Sequence, residues 1–310
     1  MAKDTSIGGA SIEVTDLVVR YGEVRAVDGV SFTARPGEVL VLLGPNGAGK
    51  TSTVETLEGY RHPDDGTVRV LGLDPSAGAV DLRPRMGVML QAGGVHPGLR
   101  PPESLALHAA LFPDPLDVDE LLARVGLDDR RSVPWRRLSG GEQRRLSFAL
   151  AVVGRPDVVF LDEPTAGVDL EGRRLVREVV AELRDRGATV LLTTHDLDEA
   201  ERSADRIVIM DRGLVVADAP AAELLASVGR DDIAFAGPAG LDVAGLSAAL
   251  GGTATEVSAG EYVVAVPPTP ANVAALTAWL AEHDHPLGDL RAGRRRLEEI
   301  FDRLTGEADG

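Results

Sequence analysis

The segment Gly44-Pro45-Asn46-Gly47-Ala48-Gly49-Lys50-Thr51 joins three glycines to one lysine and one hydroxyl. Glycines let backbone N–H groups turn inward around an anion, and a helix starting at this point adds the partial positive charge of its N-terminus. The spacing predicts a cradle for a polyphosphate built from Gly44, Pro45, Asn46, Gly47, Ala48, Gly49, Lys50, Thr51 and Ser52. Lys50 would reach the β- and γ-phosphates, and the Thr51 hydroxyl would ligate Mg2+. Lys3 and Lys50 are the only lysines, every other cation of that pair being arginine. A compact ammonium is thus kept where a guanidinium would not fit.

A second cluster follows Val158-Val159-Phe160-Leu161, which ends in Asp162-Glu163. A strand buried on both faces delivers such acids to the C-terminal edge of a parallel sheet, where phosphates bind. Asp162 would hold Mg2+ through water, and Glu163 would polarise the attacking water as general base. The bland alternative is two acids that begin a surface loop.

Leu138-Ser139-Gly140-Gly141-Glu142-Gln143 opens a helix. Ser139 and Glu142 have capping-box spacing. Capping alone does not call for two consecutive glycines, which would let backbone amides approach an anion. In this order (phosphate loop, then this segment, then the acidic strand) the motifs resemble those of ABC ATPases from about Ile12 to Ser227. The chain departs at the fifth signature position, Glu142, where the family often has Gln.

The resemblance implies an α/β P-loop NTPase of the ABC type, with a parallel-sheet core, an antiparallel β subdomain and a helical subdomain. It implies that two copies pair head to tail, so that Ser139 and Gly141 of one contact the γ-phosphate held by the other. It further implies that Tyr21 stacks on adenine, and that Gln91 senses Mg2+ and the attacking water. On the same basis Asp169 couples the two sites across the dimer, and His195, in Thr193-Thr194-His195-Asp196, bonds the γ-phosphate. The partners would be a second copy or a related ATPase, together with an integral membrane permease. The chain would then sit in the cytoplasm, peripheral to the inner face of the membrane.

The elements that must position these residues follow from periodicity. Alternation in Ile12–Val19 and Val27–Phe32 predicts half-exposed antiparallel strands, and Asp65-Gly66 predicts a turn before a strand at Thr67–Leu71. Apolar runs at Glu38–Leu43, Val158–Leu161 and Thr189–Thr193 alternate with helical patterns, implying a doubly covered parallel sheet. Prolines punctuate a helical insertion at about 92–137, and its stretch around Gly93–Leu111 is the expected docking surface. The ATPase domain is expected over 1–228. A small α+β domain over 229–310 has strands at Ile233–Ala236 and Tyr262–Val266 and helices at Val243–Leu250, Pro270–Ala281 and about Arg294–Leu304.

Composition narrows the class. The chain has 310 residues, no cysteine and a formal charge of −17. Disulfides and thiolate metal sites are excluded, and the acidic balance argues against a nucleic-acid clamp. The apolar runs fall well short of the ~20 residues a bilayer span needs. There is no coiled-coil insertion of the chromosome-maintenance type and no second phosphate loop of the translation-factor type. The ending Leu297-Glu298-Glu299-Ile300-Phe301 resembles that of daunorubicin-resistance exporter ATPases, which favours export. An importer subunit or a soluble regulatory ATPase are the alternatives. Arginines flanking the signature read as a solvated face, and His283 and His285 lack a third ligand for a metal.

Overall fold

The computed structural model describes residues 9–77, 80–89, 94–227, 232–292, 297, 301, 304 and 305, without the side chains of 226 and 227. Strand β1 (Ile12–Tyr21) pairs antiparallel with β2 (Val24–Ala34). Alternation buries Ile12, Val14 and Leu17 on one face, with an irregularity at Asp16 (φ 50°). Then come β3 (Val39–Leu43), buried throughout, helix α1 (Lys50–Leu57), β4 (Asp65–Val70) and β5 (Met86–Met89). Asp65 and Gly66 lie inside β4 and not in a turn, because β1 extends far enough for Val18 to pair with Asp65.

The helical insertion carries α2 (Pro101–Ala109) and α3 (Val118–Arg124), and leads into α4 (Gly140–Val152). The chain continues through β6 (Val158–Asp162), α5 (Leu170–Asp185), β7 (Thr189–Thr194), α6 (Leu197–Ser203), β8 (Arg206–Asp211), β9 (Leu214–Pro220) and α7 (Ala221–Ser227).

Two sheets organise this part. One is antiparallel, ordered β2-β1-β4; the other is ordered β5-β6-β7-β3-β8-β9 and is parallel except at β9. Side chains of both meet in a single core that includes Leu17, Val30, Leu40, Leu42, Phe160 and Val208. Because β7 lies between β3 and β6, three consecutive strand ends share one edge of the sheet, and these are the ends that carry the motifs.

The chain divides into two compact units, one within Met1–Ala221 and Leu304–Gly310, the other within Ala222–Arg303. The second has β10 (Ile233–Ala236), α8 (Val243–Leu250), β11 (Ala254–Ser258), β12 (Glu261–Val264), α9 (Pro270–Glu282) and β13 (Leu290–Ala292). Its antiparallel sheet is ordered β11-β12-β10-β13, and its own core holds Phe235, Leu246, Tyr262 and Trp279. The Tyr262 hydroxyl ties this unit together, donating to Pro238 O and accepting from Leu241 N. His283 stacks on Trp279 with its Nδ1 beside the Trp279 carbonyl, a packing arrangement. Leu297, Phe301, Leu304 and Thr305 are helical, and Leu297 is fully buried.

Candidate active site

Strand β3 reaches the sheet edge at Leu43, and the loop turns at once into α1. Two glycines in it are required by packing. A Cβ on Gly44 would lie 2.3 Å from the Met210 carbonyl oxygen, and one on Gly49, at φ 100°, would lie 2.4 Å from that of Ala26. The loop is thereby pressed against β8 and β2, and α1 opens with no side-chain cap. Its first N–H groups have no intrahelical partners and suit an anion.

Lys50 is 7% exposed. Its Nζ donates to Gly44 O at 2.7 Å and Pro45 O at 3.0 Å, which pins the ammonium across the loop. Burial lowers its pKa, opposed by the negative charges of Glu163 and Asp162. Thr51 is half-buried in the first turn of α1 and Ser52 is buried. The Tyr21 hydroxyl lies 3.2 Å from Ser52 Oγ, so the end of β1 meets the loop. The Arg61 guanidinium sits 4.2 Å from the centre of the Tyr21 ring, a cation–π contact.

Asp162, 5% exposed, ends β6 and accepts a hydrogen bond from the Thr193 hydroxyl on β7. Burial raises its pKa; the Thr193 bond and the Arg144 and Lys50 charges pull it down. The next residue, Glu163, has φ 48°, a conformation that costs a non-glycine residue ~1 kcal/mol or more. Its N–H donates to both the carbonyl and the hydroxyl of Thr193, which hold it there. Glu163 Oε1 lies 2.8 Å from His195 Nδ1 just beyond β7. Lys50, Asp162, Glu163 and His195 are thus drawn together by three adjacent strand ends. A carboxylate paired with an imidazole in this way can accept a proton from water and keep its orientation.

The signature segment forms the N-terminus of α4. Ser139 is the N-cap, its Oγ accepting from Glu142 N at 3.3 Å while Glu142 Oε2 accepts from Ser139 N at 2.8 Å. Arg130 donates to the other Glu142 oxygen at 2.6 Å. Leu138 is buried, Ser139 and Gly140 are exposed, and Gly141 is half-buried beneath the loop at Gly167. The Gln143 amide donates to Trp135 O and Leu138 O, fixing the approach to the helix. Asp169 caps α5 through Gly172 N at 2.9 Å and takes an ion pair from Arg145 of α4 at 3.2 Å. Gln91 lies outside the described residues.

A comparison with known proteins decides the lineage. The profile of the family described as ABC transporter matches residues 27–166. The chain is 38% identical over 309 residues to the Nod factor export ATP-binding protein I of Burkholderia orbicola, covering 96% of this chain and 97% of that protein. The chain belongs to the ABC transporter ATP-binding proteins. Within that family it is also 41% identical over 226 residues to the daunorubicin/doxorubicin resistance ATP-binding protein DrrA of Streptomyces peucetius, covering 71% of this chain and 68% of that protein. A solved ATP-binding subunit of an ABC transporter superposes with a TM-score of 0.64 at 27% identity, over 70% of this chain and 92% of that one. ATP binding and hydrolysis are the defining activity of these ABC ATPases.

Several residues at this edge escape a reading of the sequence. Thr193 reads as the end of a strand beside His195, yet it contacts both acids. Glu199, three residues after the α6 N-cap Asp196, has the spacing of an exposed capping-box acid. In the structure it turns inward and is 6% exposed. The available signal was the threonine at each of two loop ends facing it, which only the fold brings together. Glu58, at the end of α1, is a further half-buried acid whose carboxyl is pushed up to about 8 by burial and by the Asp162 and Glu55 charges.

Proposed function

We propose that the chain is the ATP-hydrolysing motor of an ABC exporter, and that Glu163 is its general base. The observation that carries this is the Glu163–His195 contact of 2.8 Å, set on the same sheet edge as Lys50 and Asp162. Lys50, the uncapped N-terminus of α1 and the loop amides bind the β- and γ-phosphates. Tyr21, 46% exposed and anchored at its hydroxyl, stacks on adenine. A water oxygen attacks the γ-phosphorus, the bond to the bridging oxygen breaks to release ADP, and Glu163 takes the water's proton. His195 orients Glu163 and bonds the γ-phosphate.

The donors present suit Mg2+. The Thr51 hydroxyl and the Asp162 carboxylate are hard oxygens, the kind of donor that ion prefers, and Gln91 would complete the set. When bound, the ion neutralises charge that develops on the phosphate oxygens.

Ser139 and Gly141 reach the γ-phosphate of a second copy, since the α4 N-terminus is open at Ser139 and Gly140. Among the described residues no helix is long and apolar enough to cross a membrane. We therefore assign the transport pathway to a permease that this subunit drives from the cytoplasmic face. A groove of about 260 Å3 between the helical insertion and α4, lined by Leu99, Leu107, His96 and His108 with Leu150 of α4, is the docking site for a cytoplasmic helix of that permease. The buried Ser104 hydroxyl that lines it has no hydrogen-bond partner among the described residues. The names of the relatives, which concern Nod factor export and daunorubicin/doxorubicin resistance, support outward transport.

Glu163→Gln tests the assignment. Turnover is expected to fall by about 100-fold or more with ATP binding retained, and the protein is expected to elute as an ATP-bound dimer. Wild-type turnover in this variant would remove Glu163 from the role.

A further inference from the structure

Two loops carry the groups that flank the γ-phosphate in the proposed reaction. One runs from Glu163 to Asp169, the other from Thr194 to Asp196. Between them lies Glu199, 6% exposed. Thr165 Oγ1 donates to one of its carboxylate oxygens at 2.5 Å, and Thr194 Oγ1 donates to the other at 2.7 Å. Thr165, two residues beyond Glu163, is 3% exposed, and Thr194, immediately before His195, is 2% exposed. A second link runs parallel nearer the surface, where Arg173 donates to Val168 O at 3.1 Å and to Asp196 Oδ2 at 2.8 Å.

Stability alone is a poor account of Glu199. Burial pushes its carboxyl up, and the two hydroxyl bonds only partly reverse that. A buried polar cluster of this kind is frequently no more stable than an apolar filling of equal volume. What the carboxylate supplies is geometry: one rigid group that accepts two hydrogen bonds, each from the loop that carries a different reacting side chain.

We propose that Glu199 is a positioning residue for ATP hydrolysis, holding the Glu163 loop and the His195 loop at the separation that makes the 2.8 Å contact between them. Its carboxylate is buried against Thr165 and Thr194 and acts through Glu163, so the inference rests on the reading of Glu163 as general base. Misplacing a catalytic group by about 1 Å costs up to ~100-fold in rate, whereas binding through the phosphate loop does not depend on this bridge.

The experiment compares the full chain with Glu199→Ala, Glu199→Gln, Glu163→Gln and the Glu199→Ala/Glu163→Gln double variant, measuring steady-state kcat and KM for Mg·ATP. Glu199→Ala is expected to lower kcat roughly 10- to 100-fold and to leave KM within about threefold. Glu199→Gln is expected to restore at least half the rate, because its amide oxygen accepts from one hydroxyl while its NH2 donates to the other. In the Glu163→Gln background the alanine change is expected to cost nothing further.

Wild-type kcat in Glu199→Ala, with Glu163→Gln inactive, overturns this inference and leaves the Glu163 assignment standing. An active Glu163→Gln overturns the assignment itself. A glutamine variant as slow as the alanine one, or a loss of nucleotide binding that parallels the loss of kcat, also overturns the positioning role. If Glu199→Ala does not fold, Thr165→Val and Thr194→Val decide. Either should slow kcat, Thr165→Ser should restore it, and the double valine variant should be no slower than the slower single. Additive losses overturn the bridge.

Discussion

In the proposed function the phosphate loop and the signature segment are both helix N-termini that meet a phosphate, and they are built in opposite ways. The loop before α1 has no side-chain cap, is packed against neighbouring backbone at Gly44 and Gly49, and holds its lysine with its own carbonyls. The N-terminus of α4 carries a capping box of Ser139 and Glu142, is braced by Arg130, and is exposed at Ser139 and Gly140. The first must be shaped before a ligand arrives, since its amides need to converge. The second must stay ordered at the surface with nothing laid over it, so it satisfies its own donors and lends only what remains. A site finished by another surface therefore needs more internal capping than one enclosed by its own fold.

The largest blow to that contrast is Lys50→Ala. Removing the ammonium should cut Mg·ATP binding and turnover by about 100- to 1,000-fold, read by nucleotide titration and by phosphate release. A loop that still bound ATP normally would not be the self-sufficient half. Ser139→Ala comes next. It should slow turnover by about tenfold while single-chain ATP binding is unchanged, with a loss of about 1 kcal/mol in thermal or urea unfolding from the missing cap. A parallel loss of ATP affinity would mean that the signature serves its own chain's nucleotide.

Glu58→Gln sharpens the account of the buried half through pH. The Glu58 carboxyl is pushed up to about 8 in the folded protein, whereas in an unfolded chain it titrates near ~4.3. Between those values the folded state keeps a proton that the unfolded state has released. The contribution of Glu58 is thus complete at low pH and is lost as pH climbs toward 8. Glutamine cannot ionise, so the melting temperature of the variant minus that of the wild type should be near zero at pH 4. It should widen steadily to pH 8, at about 2–4 °C for each kcal/mol of relief. A difference that stays flat with pH would place the titration elsewhere. Glu142→Gln should do least. It keeps the cap and weakens only an exposed ion pair to Arg130, so melting should barely move. Turnover should stay close to wild type.

Much of this arrangement was legible in the residues. Lys50, Asp162 and Glu163 begin, end and follow elements whose apolar run or glycine spacing announces the backbone that carries them, and β3 and β6 are buried along their whole lengths. What stayed hidden was set by contacts between distant segments. Glu199 has an exposed helix-cap spacing and is buried because Thr165, thirty-four residues earlier, faces it. Asp65 and Gly66 have turn chemistry and are recruited into β4 by the length of β1. β11 has three of its five residues exposed and β13 only three residues in all, so neither has enough alternation to register as a strand until β12 and β10 lie beside it.

Strand β7 runs between β3 and β6 and ends in Thr193 and Thr194, with His195 beyond. Thr193 holds Asp162 and Glu163, Thr194 holds Glu199, and His195 meets the Glu163 carboxylate. Side chains alternate between faces along a strand, so one residue gained or lost before Thr193 would turn each of these groups away at once. The apolar stretch Val190–Leu192 would still find a core to fill. Such a chain would fold, would be hard to tell from its parent by its secondary structure, and would be silent as a motor. The count of residues in a stretch with no chemistry of its own is therefore as strictly set as the identity of the proposed base.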